Sequence, residues 1–552
     1  MAAEPLSIGP LLGHLTHSAS PFRISGEAGA DGVLPPIDAL RADLAAADFT
    51  VTRLNEVLSP MAQRALEAEN AIPAQRELAV SEHPSALLMR LLALGAALPA
   101  DEVEEVLPTL TVAGALALGL LTPAGDPAGG ALGRDADGRP RLVRAAIDLR
   151  PYEAEDDDGA ILWWIASDLG ETATGRALDG DHVLGIGGAT STLIALTPRS
   201  EVRSALDLGC GCGIQALHAA RHARSVIATD ISERALAFTA FNALLNRESL
   251  PDGCALELRQ GSMLEPVAGE RFDLVVSNPP FVITPRTPGG DTWTYRDGGR
   301  AGDALVADLI RDLPNHLEPG GIAAMLANWE ITAGADWREH PSAWLDGSDV
   351  DAFVIQRDRE DPASYAQTWL RDGGLTPRDD RWAAMMTAYL EDFASRDVEE
   401  VGFGYVILHR PTDTRPAVRL LDEVGTTGQG PLGPRLKGML VNAVTLAGLN
   451  DDDLLASHLA RADDVMERRH FVPGAEDPVM IDLVQGGAFG RTLPLTSEMA
   501  GVLGVLDGTH PLKPLVQAYA ALSGEEFEEV SERVLEQVRT LLHWGFLSFR
   551  AE

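Results

Sequence analysis

A glycine-rich motif, Asp-Leu-Gly-Cys-Gly-Cys-Gly, occupies residues 207–213 and places glycines at Gly209, Gly211 and Gly213. A turn of this kind, which ends a strand and opens a helix, lets the backbone approach a nucleotide-like ligand closely. Asp230 ends the next apolar run, and its carboxylate can accept hydrogen bonds from the hydroxyls of a ribose. The spacing therefore indicates a nucleoside-binding edge of a sheet.

A second motif, Asn278-Pro279-Pro280-Phe281, offers more specific chemistry. An amide or aromatic amine nitrogen is a poor nucleophile because its lone pair is delocalised. Acceptors on the Asn278 side chain and the Pro279 carbonyl would hold both of its N–H hydrogens and draw the nitrogen towards a tetrahedral geometry. The prolines fix the backbone, and Phe281 presents a flat face to a planar group. The motif predicts positioning of an sp2 nitrogen that requires neither a metal nor a strong general base.

The glycine-rich motif and Asp230 each have a simpler interpretation than nucleoside binding. A nicotinamide-dinucleotide fingerprint separates its second and third glycines by two residues, whereas one residue separates Gly211 from Gly213. A plain strand–helix turn is disfavoured because glycine is costly unless unusual dihedral angles are needed. Asp230 could cap the following helix, although Ser232 is also placed to do so.

Together the motifs resemble those of class I S-adenosylmethionine (SAM) methyltransferases that modify a planar nitrogen. The segments 272–281 and 295–305 are similar to HemK-type release-factor glutamine methyltransferases. Ribosomal RNA guanine-N2 methyltransferases, which use Asn-Pro-Pro-Phe, are nearly as similar. The resemblance covers about residues 185–335 and implies SAM as the cofactor. It also implies that Asp207 steers the methionine amino group and that Ser262 stands where an aspartate usually contacts adenine.

The order of predicted elements agrees with an α/β fold. Strands and helices alternate from about residue 160 to 412, which predicts a seven-stranded Rossmann-like methyltransferase sheet. Residues 1–150 are predicted to form a helical, winged-helix-like N-terminal domain, residues 151–412 the methyltransferase domain, and residues 413–552 an α+β, winged-helix-like C-terminal domain. Tyr295 and Arg296 follow the second motif and are interpreted either as a gate over the cleft or as a solvated loop.

Composition narrows the choice of substrate. The net charge of −38 should repel nucleic acid over a Debye length, so a protein or small-molecule acceptor is favoured over RNA or DNA. The sequence contains three cysteines, and it shows neither a secretory leader nor an apolar run long enough to span a bilayer. These features predict a cytoplasmic protein without a membrane partner.

The sequence thus predicts SAM-dependent N-methylation of a protein side-chain amide or of a small-molecule amide or amine. Two alternatives stay open at this stage. One is methylation of an exocyclic amine on a ribosomal or transfer RNA base. The other is a SAM-binding docking protein with little catalysis, which the large flanking segments and Ser262 motivate.

Overall fold

The computed structural model describes residues 9–15, 17–22, 30–125, 133–135, 137–156, 159–176, 178–251, 253–286, 297–425, 432–474 and 476–550. Tyr295 and Arg296, the predicted gate, lie outside these residues. No helix among the described residues is both long enough and apolar enough to cross a membrane.

The chain divides into two compact units. The first unit comprises residues 1–190, 201–305 and 363–395, and the second comprises residues 191–200, 306–362 and 396–552. The sequence-based division into three consecutive domains, at residues 150 and 412, stays a prediction.

Helices dominate the start of the first unit. They are α1 (Gly9–Leu15), α2 (Ala30–Ala46), α3 (Val51–Val57), α4 (Pro60–Glu67), α5 (Ile72–Leu78), α6 (Pro84–Leu88), a π-helical turn (Met89–Ala93), α7 (Ala100–Val106) and α8 (Thr111–Leu118). The apolar spacing predicts one helix over residues 54–68, but the structure breaks it between α3 and α4. Ser59 caps α4 by accepting the Ala62 N–H, and Pro60 has no N–H with which to continue α3.

Short strands follow these helices. They are β1 (Leu98–Pro99), β2 (Leu121–Pro123), β3 (Leu142–Ala145), β4 (Asp148–Asp156) and β5 (Gly159–Ser167). β1, β3 and β2 form a small antiparallel sheet, and β4 pairs with β5 as a hairpin. The acidic run at residues 153–158 predicts a solvated connection, yet residues 153–156 belong to β4, and residues 157 and 158 lie outside the described residues. Asp156 there forms a buried ion pair with Arg221 at 2.5 Å.

A parallel sheet forms the centre of the first unit. The elements of this part of the chain are α9 (Glu171–Thr174), α10 (Gly188–Leu196), β6 (Val202–Leu208), α11 (Ile214–Ala220), β7 (Ala223–Asp230), α12 (Glu233–Leu245), β8 (Ala255–Gln260), β9 (Phe272–Ser277) and α13 (Ala304–Asp312), with 3-10 turns at Arg247–Ser249, Glu265–Val267 and Leu313–His316. Most of α10 and α13, and the turn at Leu313–His316, belong to the second unit. The strand order is β9-β6-β7-β8, and each neighbouring pair is parallel. The carboxyl ends of β6, β7 and β9 therefore meet at one edge, where ligands bind in open α/β sheets.

The next segment of the chain contains β10 (Leu317–Thr332), α14 (Glu339–Trp344), β11 (Asp351–Glu360), α15 (Pro362–Asp372), α16 (Trp382–Ser395), β12 (Val398–His409) and β13 (Arg419–Glu423). Helices α15 and α16 belong almost wholly to the first unit, and the other elements belong to the second. β12 is antiparallel to β10 and β11, and β13 is parallel to β11. Strands β6 to β13 thus number eight within the described residues, so the predicted count of seven is wrong. The additional strand, β13, lies beyond residue 412 in the segment assigned to the C-terminal domain.

The rest of the chain is α+β. It contains α17 (Gly433–Ala447), α18 (Asp451–Ala456), β14 (His458–Arg461), β15 (Val465–His470), β16 (Met480–Gln485), β17 (Thr492–Leu495), α19 (Ser497–Leu503), β18 (Asp507–Pro511), α20 (Leu512–Ser523), α21 (Phe527–His543) and β19 (Leu547–Phe549). The sequence pattern predicts a single helix over residues 451–463. Instead α18 ends at Ala456, and β14 pairs with β18 and β19, which supply its hydrogen bonds from far along the chain.

Candidate active site

The glycine-rich turn contacts α12, the helix that follows β7. The Gly209 and Cys210 N–H groups both donate to the Thr229 carbonyl at 2.9 Å, which ties the turn to β7. Gly213 has a φ of +83° and is the N-cap residue that immediately precedes α11. A Cβ atom at this position would lie 2.6 Å from Cγ2 of Thr239, on α12. Only glycine therefore suits both the backbone and the space at this position.

Asp230, the last residue of β7, faces the turn. Its Oδ2 atom accepts the Gly211 N–H at 3.0 Å, and its Oδ1 atom accepts the Ser232 N–H at 2.9 Å. The cap of α12 is Ser232, whose hydroxyl accepts the Ala235 N–H. Asp230 is thus not needed as the cap. Burial raises the pKa of its carboxyl group.

Asp207, at the end of β6, is almost completely buried. Its side chain is 2% exposed, and Oδ2 accepts the Ala216 N–H of α11 at 2.9 Å. Burial raises its pKa to about 7, opposed by the hydrogen bond from Ala216 and reinforced by the negative charge of Asp230. Asp207 consequently titrates near neutral pH, where a cationic ligand would favour its ionised form.

The Asn-Pro-Pro-Phe turn directly follows β9. Ser277, the last strand residue, donates its hydroxyl to the Leu208 carbonyl at 2.8 Å, which anchors the turn beside the glycine-rich loop. The Asn278 Oδ1 atom is buried and has no hydrogen-bond partner among the described residues. The Pro279 carbonyl accepts the Phe281 N–H at 2.8 Å and, as a carbonyl, retains a second lone pair. An unpaired buried acceptor is costly unless a ligand satisfies it.

The segment that begins at Asp297 supports this turn. Asp297 makes an isolated antiparallel bridge with Phe281. Its carboxylate accepts hydrogen bonds from Arg286 at 3.0 and 2.5 Å and from the Gly299 N–H at 2.9 Å. A Cβ on Gly298 would lie 3.0 Å from the Pro280 carbonyl, so the two backbone segments pack directly on each other. The turn is thereby braced against a second loop.

These groups surround one cavity of about 290 Å³ in the first unit. Seven of the residues predicted to bind ligand or substrate line it: Asp207, Gly209, Gly211, Asp230, Ser262, Asn278 and Pro280. Three others that the structure describes, Gly213, Pro279 and Phe281, are not among the lining residues.

Several lining residues were not anticipated from the sequence. The segment 181–185 forms part of the wall, and the Val183 N–H donates to Asp168 at 2.9 Å, which holds the segment in place. Ile231 also lines the cavity and is 53% exposed, so an apolar surface is available to a flat ligand. Arg300 supplies a positive charge. The glycines at 185, 187 and 188 were the available sequence signal for a loop near a ligand.

Comparison with known families is consistent with this geometry. Residues 46–134 match a domain of unknown function (DUF7059), and residues 185–336 match the Methyltransferase small domain. The second match covers the lining residues of the cavity from Gly185 to Leu305, whereas the lining residues 181–184 precede it. The resemblance to class I SAM-dependent methyltransferases predicted from the motifs is confirmed.

Individual relatives are similar over the same region. A ribosomal protein uL3 glutamine methyltransferase of Bradyrhizobium diazoefficiens is 32% identical over 33% of this chain and 57% of its own length. A release factor glutamine methyltransferase of Xylella fastidiosa is 36% identical over 23% of this chain and 48% of its own length. A ribosomal RNA small subunit methyltransferase C of Alcanivorax borkumensis is 32% identical over 23% of this chain and 32% of its own length. The chain thus spans from about a third to just over half of these curated relatives.

Proposed function

We propose that this protein is a SAM-dependent N-methyltransferase whose acceptor is the side-chain amide of a polypeptide. The observation that carries the proposal is the buried, unsatisfied Oδ1 atom of Asn278, which lines the same cavity as Asp207 and Asp230. This cavity combines groups suited to a nucleoside, namely the glycine-rich turn and the two carboxylates, with a hydrogen-bond acceptor suited to an N–H group. A plain nucleotide-binding domain would have no need of that acceptor.

The chain's residues fit SAM. The positive φ values of Gly209 and Gly211, with no atom within 4 Å of a Cβ built on either glycine, leave room for a ligand against the backbone. Asp230 would accept hydrogen bonds from the ribose hydroxyls. Asp207 would face the methionine ammonium group, and Ile231 would contact the adenine ring. When bound, SAM would supply an electrophilic methyl group on a sulfonium centre; transfer of this group would break the sulfur–methyl bond, leave S-adenosylhomocysteine and release one N–H proton of the acceptor to solvent.

The acceptor nitrogen is activated by position alone in this proposal. Asn278 Oδ1 accepts one N–H hydrogen of the substrate amide, and the free lone pair of the Pro279 carbonyl accepts the other. Holding both hydrogens weakens conjugation of the nitrogen lone pair and directs it along a single line of attack. The Asp297 and Ser277 contacts described above keep the turn fixed while this happens.

A glutamine-like amide is favoured over a nucleobase. Relatives named as glutamine methyltransferases match this region, and the net charge of −38 opposes polyanion binding. Methylation of an RNA base amine is the second candidate, and it is favoured by the match to ribosomal RNA methyltransferase C. We expect no measurable ribosomal or transfer RNA binding near physiological ionic strength, because phosphate contacts need a basic surface.

The cofactor assignment is tested by calorimetric titration. SAM should bind the 552-residue chain, whereas NAD should give no signal, because the single residue between Gly211 and Gly213 departs from the dinucleotide fingerprint. Binding of NAD with no binding of SAM would refute the proposal.

The affinity for SAM is predicted to rise with pH. Asp207 has a pKa of about 7, so it is mostly neutral at pH 6 and mostly ionised at pH 7.5. If only the ionised form pairs with the ammonium group, the dissociation constant should fall roughly fivefold over this interval, because a roughly eightfold gain in ionised Asp207 is partly offset by deprotonation of the ligand's α-amino group, whose pKa is about 7.7–8.0. Measurement stops at pH 7.5 because this loss of the ammonium form grows at higher pH. Asp207→Asn should bind more weakly and show no pH dependence. A flat profile for the unaltered protein would contradict this role.

Ser262→Asp should strengthen SAM binding. The turn after β8 places Ser262 on the cavity, and a carboxylate there would make a charge-assisted hydrogen bond with the adenine amino group. A hydrogen bond to a charged acceptor is more favourable than one to a neutral acceptor by about 1 kcal/mol, which corresponds to a roughly fivefold higher affinity. Ser262→Asn, of equal size but uncharged, serves as the control and should bind within about twofold of the unaltered protein. Equal or weaker binding by Ser262→Asp would remove Ser262 from the adenine site.

A further inference from the structure

The backbone just beyond the Asn-Pro-Pro-Phe turn depends on a residue from a distant helix. The Ile283 N–H donates to the hydroxyl oxygen of Tyr365 at 2.8 Å, in a contact that is buried. Tyr365 lies in α15 and is 0% exposed, and Ile283 is 1% exposed. Both residues belong to the first unit. Because a buried backbone N–H must find a partner, this hydroxyl helps to determine the path of the chain after the turn.

Tyr365 is itself held rigidly. Its ring meets Phe393 edge to face, with centroids 5.5 Å apart, and Phe393 packs against Tyr389 at 6.3 Å. Phe393 and Tyr389 are on α16 and are also buried. Edge-to-face pairs of this kind fix ring orientation. The hydroxyl therefore has a defined position relative to Ile283.

The Asn278 turn is supported on two sides. Asp297 bridges Phe281 and accepts the hydroxyl of Thr284, which secures one side through the loop described above. The Tyr365 hydroxyl binds the intervening Ile283. Nothing in the 185–336 methyltransferase match supplies this second support, since Tyr365 lies beyond it. The helices α15 and α16 thus act on the turn from outside the matched domain.

We propose that Tyr365 is a positioning residue that orients the Asn-Pro-Pro-Phe turn for methyl transfer. This inference rests on the proposed function. Loss of the hydroxyl leaves the Ile283 N–H buried without its acceptor, so the segment must shift to reach another partner. A shift of about 1 Å in a positioning group can cost roughly a hundredfold in rate. SAM binding depends on β6 and β7 and should change little.

The test compares Tyr365→Phe with Tyr389→Phe, which removes one buried hydroxyl from the same aromatic cluster. With an acceptor that the unaltered enzyme methylates, Tyr365→Phe should lower kcat at least roughly tenfold and leave the SAM dissociation constant within about twofold. Tyr389→Phe should keep kcat within about twofold even if its melting temperature falls equally. Equal kcat values for the two variants would overturn the proposal.

A second measurement does not depend on activity. Hydrogen–deuterium exchange of the peptide covering residues 278–286 should become at least roughly tenfold faster in Tyr365→Phe, because the Ile283 amide loses its protecting bond. The same peptide should exchange at the unaltered rate in Tyr389→Phe. Unchanged exchange in Tyr365→Phe would overturn the positioning role. If the unaltered protein transfers no methyl group, the proposed function fails, while the exchange result still decides whether Tyr365 orders the turn.

Discussion

Replacing Asn278 with alanine should lower turnover by roughly 10²–10³ while leaving SAM affinity nearly unchanged, which is the usual scale for one positioned polar group. The expectation follows from the buried Oδ1 atom, which has no partner in the described residues and is available to hold a substrate N–H. Removing it should also relieve an unsatisfied polar group, so the folded protein should be no less stable. Steady-state kinetics, calorimetric titration with SAM and thermal unfolding measure the three quantities.

The control is Asn55→Ala, which makes the same chemical change at an exposed position in the first unit. This variant should leave kcat, SAM affinity and the temperature of thermal unfolding unaltered. A loss of SAM binding in Asn278→Ala, proportional to its loss of turnover, would show that Asn278 serves the cofactor and not the acceptor amide. A turnover equal to that of Asn55→Ala would remove Asn278 from the mechanism.

Gly213→Ala should be the most damaging substitution in the glycine-rich turn. Its Cβ would lie 2.6 Å from Cγ2 of Thr239, and its φ of +83° is unfavourable for any side chain. Strain and overpacking together should cost about 2–4 kcal/mol of stability. Gly209→Ala, at a φ of +77° with no atom within 4 Å of its Cβ, should cost only about 1 kcal/mol. Denaturant unfolding of the two variants gives the comparison.

The clash itself can be isolated in a double variant. Thr239→Ala removes both atoms nearest to the added Cβ, so Gly213→Ala combined with Thr239→Ala should recover part of the lost stability. The recovery should be incomplete, because Thr239 also donates its hydroxyl to the Gly211 carbonyl at 3.0 Å and because the dihedral strain persists. If the two substitutions destabilise additively, the packing explanation for Gly213 is wrong.

Local patterns predicted the elements that carry the site. The apolar run at residues 272–277 is followed directly by Asn-Pro-Pro, and it predicts β9 with its observed bounds because proline cannot continue a central strand. The end of β7 at Asp230 and the start of α11 after Gly213 follow equally local signals. Such signals suffice where the residues that decide an element lie within it.

Elements that depend on distant partners were missed. β14 spans only residues 458–461 and is a strand because β18 and β19 pair with it, about 50 and 90 residues later. β13 likewise exists through its parallel pairing with β11. The break before α4 had a local signal, Ser59-Pro60, which the apolar periodicity on both sides obscured.

The candidate site likewise contains residues that local sequence signals predicted and residues that only the structure revealed. Asp207, Asp230 and Asn278 were found because the ends of their strands are visible in the sequence: Asp207 and Asp230 lie at the carboxyl ends of β6 and β7, and Asn278 directly follows β9. The contribution of Val183 and Ile231 to the cavity wall, and the contact between Tyr365 and Ile283, arise only from packing. No residue type or spacing marks a tyrosine 82 positions away as the partner of a backbone amide. These contacts required the structure.

The most direct test of the central claim is the chemical identity of the methylated product. A lysate is incubated with methyl-labelled SAM and either the unaltered protein or Asn278→Ala. Each labelled sample is then split into two portions, of which one is treated with protease and the other with ribonuclease. The proposal predicts label that depends on Asn278, is released by protease, resists ribonuclease, and is located on a glutamine-type amide by mass spectrometry. Label that survives protease and disappears with ribonuclease would contradict the polypeptide acceptor and establish the RNA alternative, and label that is absent with the unaltered protein would contradict methyl transfer itself.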